Sequence, residues 1–145
     1  MSFEVFQQCL PEQNDFLTSY YQKLKIKFEI FNFTTDILKY FAKSNLVITR
    51  SGSSMLAELV NVKIPFISVP LPTSAENHQL KNAIYYSEKE YSYLVEERDL
   101  NANLFALIKK LSENMSLLDK IIHKQRQYSD KSVYKNIDKE INKII

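Results

Sequence analysis

The chain of 145 residues contains one glycine, where ordinary usage would supply about ten. That scarcity leaves no room for a loop built on several glycines and puts weight on the one position that keeps the residue, Gly52. Lysine supplies sixteen of the nineteen basic residues, and asparagine and isoleucine are also common. Scarcity alone therefore reflects a general bias, and the placement of Gly52 carries the argument. Cysteine is nearly absent as well. Cys9 stands alone, which excludes an intramolecular disulfide and a cysteine-based metal cluster, and fits a reducing compartment. No zinc motif occurs, and no metal site is expected. Excess charge of one sign is lacking too: nineteen basic against seventeen acidic residues leave a net charge of +2, so no nucleic-acid partner is expected. The first residues lack the basic flank and apolar stretch of a signal peptide, and no window approaches the roughly 20 apolar residues of a membrane span. A single domain covering residues 1–145 is expected, because 45% hydrophobic content at this length fills one core.

Hydrophobic periodicity organises the rest. Residues 3–6 alternate as a strand does, and residues 12–24 carry Phe16, Leu17, Tyr20, Tyr21 and Leu24 on one helical stripe opened by Pro11. Residues 28–31 read as a second strand. Thr34 or Thr35 is placed to cap a helix through Ile37, Leu38, Tyr40 and Phe41, ending before a third strand at residues 46–49. A helix over 53–60, an apolar run between Pro65 and Pro70, a helix from 77 to about 89, a weak strand at 91–95 and a helical segment over 104–111 follow. A lysine-rich helical tail fills residues 117–145. It has a break near Ser129-Asp130, and Lys131, Lys135, Lys139 and Lys143 share one face. Strands spaced by helices predict an α/β fold, a Rossmann-like parallel sheet with helices on both faces.

In such sheets ligands bind beyond the carboxyl ends of the strands. Three loops meet that condition: Asn32-Phe33-Thr34, Arg50-Ser51-Gly52-Ser53-Ser54, and residues 70–79. Gly52 falls between a strand and a helix. Backbone N–H groups at a helix start lack intrahelical acceptors and carry partial positive charge, so a diphosphate can accept hydrogen bonds there, with Arg50 adding a full charge. Taken singly, Gly52 reads first as a tight turn and Arg50 first as a surface charge, while Glu58 also reads as a solvated helix residue and His78 as a helix-start cap. Cys9 reads as a small buried residue and His123 as a surface helix residue. The tyrosines at 85, 86, 91 and 93 read as core packing rather than an exposed patch.

The stretch Ile48-Thr49-Arg50-Ser51-Gly52-Ser53-Ser54-Met55-Leu56-Ala57-Glu58, the run Ile64-Pro65-Phe66-Ile67-Ser68-Val69-Pro70 and the segment Glu76-Asn77-His78-Gln79-Leu80-Lys81-Asn82-Ala83 together resemble the carboxy-terminal half of the MurG family. These are bacterial transferases that move N-acetylglucosamine from its UDP-sugar to a lipid-linked muramyl-pentapeptide. The resemblance covers nearly the whole chain, and the joint R-S-G-x-x-x-x-x-E and N-H-Q-x-x-N-A patterns carry it. It implies the C-terminal, donor-binding half of a GT-B glycosyltransferase acting in peptidoglycan precursor (lipid II) synthesis, with inverting chemistry and no cofactor. By the same resemblance, Phe33 and Thr34 contact uracil and Glu58 binds the ribose hydroxyls. Arg50 and Ser51, Gly52, Ser53 and Ser54 face the diphosphate, and His78, Gln79 and Asn82 serve the sugar.

Three departures accompany the likeness. Ser53 and Met55 stand where the family usually has a small residue and a hydroxyl. Lys63 replaces a glycine that commonly follows the helix, which calls the left-handed cap there into question. The amino-terminal acceptor domain and the first glycine-rich loop are absent. The resemblance places the catalytic base and lipid-acceptor surface in that half, so no catalytic residue is assigned. The expected partners are UDP-N-acetylglucosamine, an N-terminal acceptor domain or a separate partner chain, and through it a lipid-linked acceptor at the membrane. The expected location is cytoplasmic, with a peripheral contact at the inner face of the plasma membrane left open. Alternatives are a non-catalytic α/β binding module that kept the fold without the activity, and another nucleotide-sugar enzyme of the same architecture.

Overall fold

The computed structural model describes residues 3–128 and 141–143 and divides into two compact units, Met1–Lys43 and Ser44–Ile145. In the first unit, strand β1 (Glu4–Gln8) runs parallel to β2 (Lys27–Phe31), with Val5 opposite Phe28 and Gln7 opposite Ile30. Between them, a single 3-10 turn with Pro11 at its start leads into helix α1 (Asn14–Leu24). The short helix α2 (Leu38–Phe41) closes the unit. Its Tyr40 ring stacks on Phe31 at 3.8 Å and donates its hydroxyl to Glu29 at 2.9 Å. Burial raises the Tyr21 phenol pKa above its ordinary value, with Tyr20 and Cys9 adding to the shift. Cys9 is half-buried, and its thiol donates to Asn14.

In the second unit the strand order is β3-β4-β5, all parallel: β3 (Val47–Thr49), β4 (Phe66–Ser68) and β5 (Tyr93–Leu94). Helix α3 (Ser53–Val62) connects β3 to β4, and α4 (His78–Glu88) connects β4 to β5. A π-helical turn (Leu100–Leu104), α5 (Phe105–Glu113) and α6 (Ser116–Arg126) complete the unit. The middle strand is buried along its length, which explains why its sequence does not alternate between apolar and charged residues; its one polar side chain, Ser68, donates its hydroxyl to the Tyr93 carbonyl at 3.1 Å. Its Ile67 and the following Val69 form a core cluster with Val95, Leu111 and Leu118. The parallel α/β architecture expected from the alternation is therefore present, and among the described residues no helix is long and apolar enough to cross a membrane.

Two expectations are corrected. Neither Thr34 nor Thr35 caps a helix, because α2 has only four residues and begins after Ile37. The Thr34 hydroxyl instead accepts the Asp36 backbone N–H at 3.1 Å, a local turn that competes with helix initiation. The left-handed cap after α3 survives the loss of glycine: Lys63 adopts φ 62°, ψ 44°. The Ile64 N–H bonds the Leu59 carbonyl at 3.0 Å and the Lys63 N–H bonds the Val60 carbonyl at 3.2 Å, the two bonds of a Schellman turn. The same pair of bonds recurs at Lys25 after α1 and at Glu90 after α4, where φ is 54° and 59°. The break near Ser129-Asp130 and the lysines 131, 135 and 139 lie outside the described residues. Lys143 is exposed.

A side chain in the left-handed region costs about 1 kcal/mol or more against glycine. Lys63 recovers part of that through its Nζ, which donates to the Val60 carbonyl at 2.9 Å, and Glu90 pairs with Lys124. Lys25 makes no such side-chain contact among the described residues. Lys25→Gly should therefore raise stability by up to about 1 kcal/mol, partly offset by the added freedom of the unfolded chain. A higher urea midpoint with an unchanged slope is the expected result, and a lower midpoint would contradict it.

Candidate functional site

The parallel pairing of β3, β4 and β5 brings the loops at their carboxyl ends together. The turn after β3 enters α3 through Gly52, which is the N-cap residue at φ −66°, ψ 135°. That conformation is open to any residue, and a Cβ built on Gly52 meets nothing within 4 Å. Neither backbone strain nor crowding within the chain requires glycine here. What glycine provides is an uncovered helix start. The first bond of the helix runs from the Leu56 N–H to the Gly52 carbonyl at 3.1 Å, and no side chain caps the turn. The N–H groups of Ser53, Ser54 and Met55 are thus free of intrahelical acceptors, with the macrodipole adding positive potential.

Ser51 is fully buried, in contrast to the exposed Ser53 and Ser54. Its backbone N–H donates to Gln79 Oε1 at 3.2 Å and its carbonyl accepts from Asn82 Nδ2 at 3.0 Å. The Ser51 hydroxyl is buried with no hydrogen-bond partner. Gln79 Oε1 also accepts the Leu71 N–H at 3.0 Å, so one oxygen joins the loops after β3 and β4. The loop after β4 carries two successive left-handed residues, Glu76 and Asn77, at φ 50° and 54°. His78 then opens α4, exposed, with Nδ1 donating to the Ala75 carbonyl at 2.8 Å.

Arg50 is half-exposed, and its Nη1 pairs with Glu97 Oε2 at 2.5 Å and reaches the Pro70 carbonyl at 3.5 Å. Screening at such exposure makes the pair worth little in stability, but it fixes where the guanidinium rests. Beside it, Pro70, Leu71, Leu80, Glu97 and Arg98 help to line a depression of about 290 Å³. Glu58 is half-buried on α3 and has no hydrogen bond or ion pair among the described residues. Phe33 and Thr34 belong to the first unit, where Phe33 is 83% exposed. Among the described residues no three His, Cys, Asp or Glu side chains gather closely enough to hold a metal ion.

The second unit thus gathers Arg50, Ser51, Gly52, Ser53, Ser54, His78, Gln79 and Asn82 around the start of α3 and the loop after β4. Sequence reasoning missed Glu97 and Ser74, whose hydroxyl accepts the Gln79 N–H at 3.3 Å. The loop rule could have found Glu97, since it follows β5 as Arg50 follows β3.

Fold and site define a parallel α/β protein whose loops gather at the carboxyl ends of β3, β4 and β5, with an uncapped helix start among them. The chain belongs to the glycosyltransferase family 28 C-terminal domain family, which it matches over residues 2–141. It is similar to proteins named UDP-N-acetylglucosamine--N-acetylmuramyl-(pentapeptide) pyrophosphoryl-undecaprenol N-acetylglucosamine transferase. The Pelagibacter ubique protein of that name is 28% identical over 145 residues, covering 98% of this chain and 40% of the relative. The Rickettsia typhi one is 31% identical over 120 residues, covering 82% and 31%. The crystal structure of Acinetobacter baumannii MurG superposes with a TM-score of 0.79 at 21% identity, over 96% of this chain and 42% of that one, which agrees with the C-terminal half of a GT-B fold. The chain therefore spans about two fifths of the length of the Pelagibacter relative.

Proposed function

We propose that this chain is the donor-binding half of an inverting N-acetylglucosaminyltransferase, taking UDP-N-acetylglucosamine and serving a lipid-linked acceptor in peptidoglycan precursor synthesis. The observation that carries the reading is the open start of α3: an N-cap glycine that the fold itself does not require, with empty space where its side chain would stand. A diphosphate seated there accepts the N–H groups of Ser53, Ser54 and Met55. The acceptor hydroxyl attacks the anomeric carbon, the bond to the diphosphate breaks, and these donors stabilise the charge that develops on departing UDP. Glu58 lies a turn and a half further along α3, and its unpaired carboxylate offers two acceptors to the ribose hydroxyls. The amide side chains of α4 face the sugar. The catalytic base and the acceptor surface come from an N-terminal domain or partner chain, which brings the complex to the inner face of the membrane. No cofactor or metal is used.

The test is a titration of the chain with UDP-N-acetylglucosamine, UDP and GDP, followed by amide and side-chain NMR shifts. Uridine-selective shifts at Gly52, Glu58 and Gln79 support the reading. Absence of any response at millimolar ligand favours a binding module that kept the fold alone. Hydrogen bonds to a charged group contribute about 1.5–3 kcal/mol. Glu58→Ala should therefore weaken UDP by about 10- to 100-fold without unfolding the chain, and unchanged affinity in calorimetry would remove Glu58 from the site.

A further inference from the structure

We infer that Gln79 and Asn82 are positioning residues of the turn after β3, which hold it in its binding form whether or not a sugar is present. The inference deepens the donor-site reading and rests on it. Residues 79 and 82 are one helical turn apart on α4 and so present their side chains to the same side. Between them they grip both backbone polar groups of one residue on a distant loop, and so the two peptide units that meet at its Cα: Gln79 Oε1 takes the Ser51 N–H at 3.2 Å, and Asn82 Nδ2 donates to the Ser51 carbonyl at 3.0 Å. The same Oε1 takes the Leu71 N–H at 3.0 Å. Two N–H donors can converge only on an acceptor, which fixes the orientation of the Gln79 amide. Gln79 is itself anchored, since its N–H donates to Ser74 Oγ at 3.3 Å.

Ser51 immediately precedes Gly52, so the Ser51–Gly52 peptide, held through its carbonyl by Asn82, sets how the chain enters α3 and where the free N–H groups aim. Ser51 is fully buried, and without these partners its N–H and carbonyl would be orphaned there. The clamp thus joins the loops after β3 and β4 and pre-organises the helix start for an anion, so that little ordering remains to be done on binding. The amide ends not used in the clamp, Gln79 Nε2 and Asn82 Oδ1, have no hydrogen-bond partner among the described residues. A clamp and a sugar contact therefore use different atoms, and they predict different ligand dependence.

The test compares UDP, which has no sugar, with UDP-N-acetylglucosamine on the full chain. Gln79→Met keeps the length of the side chain and removes its acceptor, and Asn82→Leu removes the donor. For a clamp, both variants lose about tenfold or more in affinity for both ligands by the same factor, with melting temperatures recorded to exclude global unfolding. A loss confined to UDP-N-acetylglucosamine would make the two residues sugar readers only and overturn the inference. Hydrogen exchange in the ligand-free chain gives a second readout. The Ser51 and Leu71 amides should exchange roughly tenfold faster in Gln79→Met and stay protected in Gln79→Glu, whose carboxylate still accepts both. Unchanged exchange in Gln79→Met would overturn the clamp. If the unaltered chain binds no UDP, the donor-site reading fails while exchange still decides whether the clamp exists.

Discussion

Gly52→Asp should give a protein as stable as the original, or up to about 1 kcal/mol more stable, that binds UDP at least roughly 100-fold more weakly. The two halves of this expectation share one cause. At φ −66°, ψ 135° the backbone of Gly52 already has the extended N-cap conformation, and the space beside it is empty. An aspartate there can accept the N–H of Ser54 or Met55, the capping bond that the sequence forgoes, and its charge suits the helix dipole. Those are also the donors assigned to the diphosphate. The carboxylate would occupy them and add like-charge repulsion, which at 4 Å is worth between about 1 and 4 kcal/mol depending on the local dielectric. Gly52→Ala is the control: it fills space without charge, should change stability by less than about 0.5 kcal/mol, and should weaken UDP less. Urea unfolding and calorimetry on the same samples separate the two effects. Aspartate with unchanged UDP affinity would show that the diphosphate sits elsewhere.

Much of the fold was legible because each strand and helix announces its own period. The run from Pro65 to Pro70 could be read as a fourth, apolar strand fenced by prolines, and β4 lies there, buried throughout. The failures came where local chemistry overrides pattern. Thr34 looks like a cap, but its hydroxyl closes a turn onto Asp36 two residues later, and α2 shrinks to Leu38–Phe41. Lys63 in place of glycine suggested a lost cap, but the two Schellman bonds and its own Nζ hold it in the left-handed region. The weak strand read at residues 91–95 is present as the two-residue β5, whereas no motif announces the π-helical turn before α5.

The site was less legible. Residue types and spacing pointed to the turn at Gly52, and the structure adds that neither conformation nor crowding within the chain requires glycine there. Partners distant in sequence were invisible. Arg50 meets Glu97 across 47 positions, and Ser51 meets Gln79 and Asn82 only because β3 and β4 are neighbours. A sequence suggests which atoms can bind, but not which are already occupied. Gln79 and Asn82 read as hydroxyl-binding amides, and half of each amide proves to be committed to the backbone.

The same limit conceals Gln125, which reads as an ordinary polar residue near the end of α6 and is fully buried. Its Nε2 donates to the carbonyls of Ile64 and Tyr91, both at 2.9 Å. Those residues follow Lys63 and Glu90, the left-handed positions that end α3 and α4. The neighbouring Lys124 pairs with Glu90, and Lys63 lies over the ring of Tyr128 at 5.9 Å, so the end of α6 and the residues after it grip both of these turns. Gln125→Leu keeps the volume but strands two carbonyls, each costing about 1–3 kcal/mol when buried. A loss of about 2–4 kcal/mol is expected, because Tyr91 is only half-buried and because the unpartnered Gln125 Oε1 is removed at the same time. In a chain of this size that lowers the melting temperature by roughly 10 °C. Gln125→Glu adds a signature in pH. A protonated carboxyl can donate to one carbonyl, whereas the ionised form repels both, so burial would raise its pKa above the unfolded value near 4.3. The folded variant then binds more protons than the unfolded one, and its stability falls as pH rises from about 4 to 7 relative to the unaltered chain. A Gln125→Glu variant whose deficit does not grow with pH would place the side chain in water instead of against those two carbonyls.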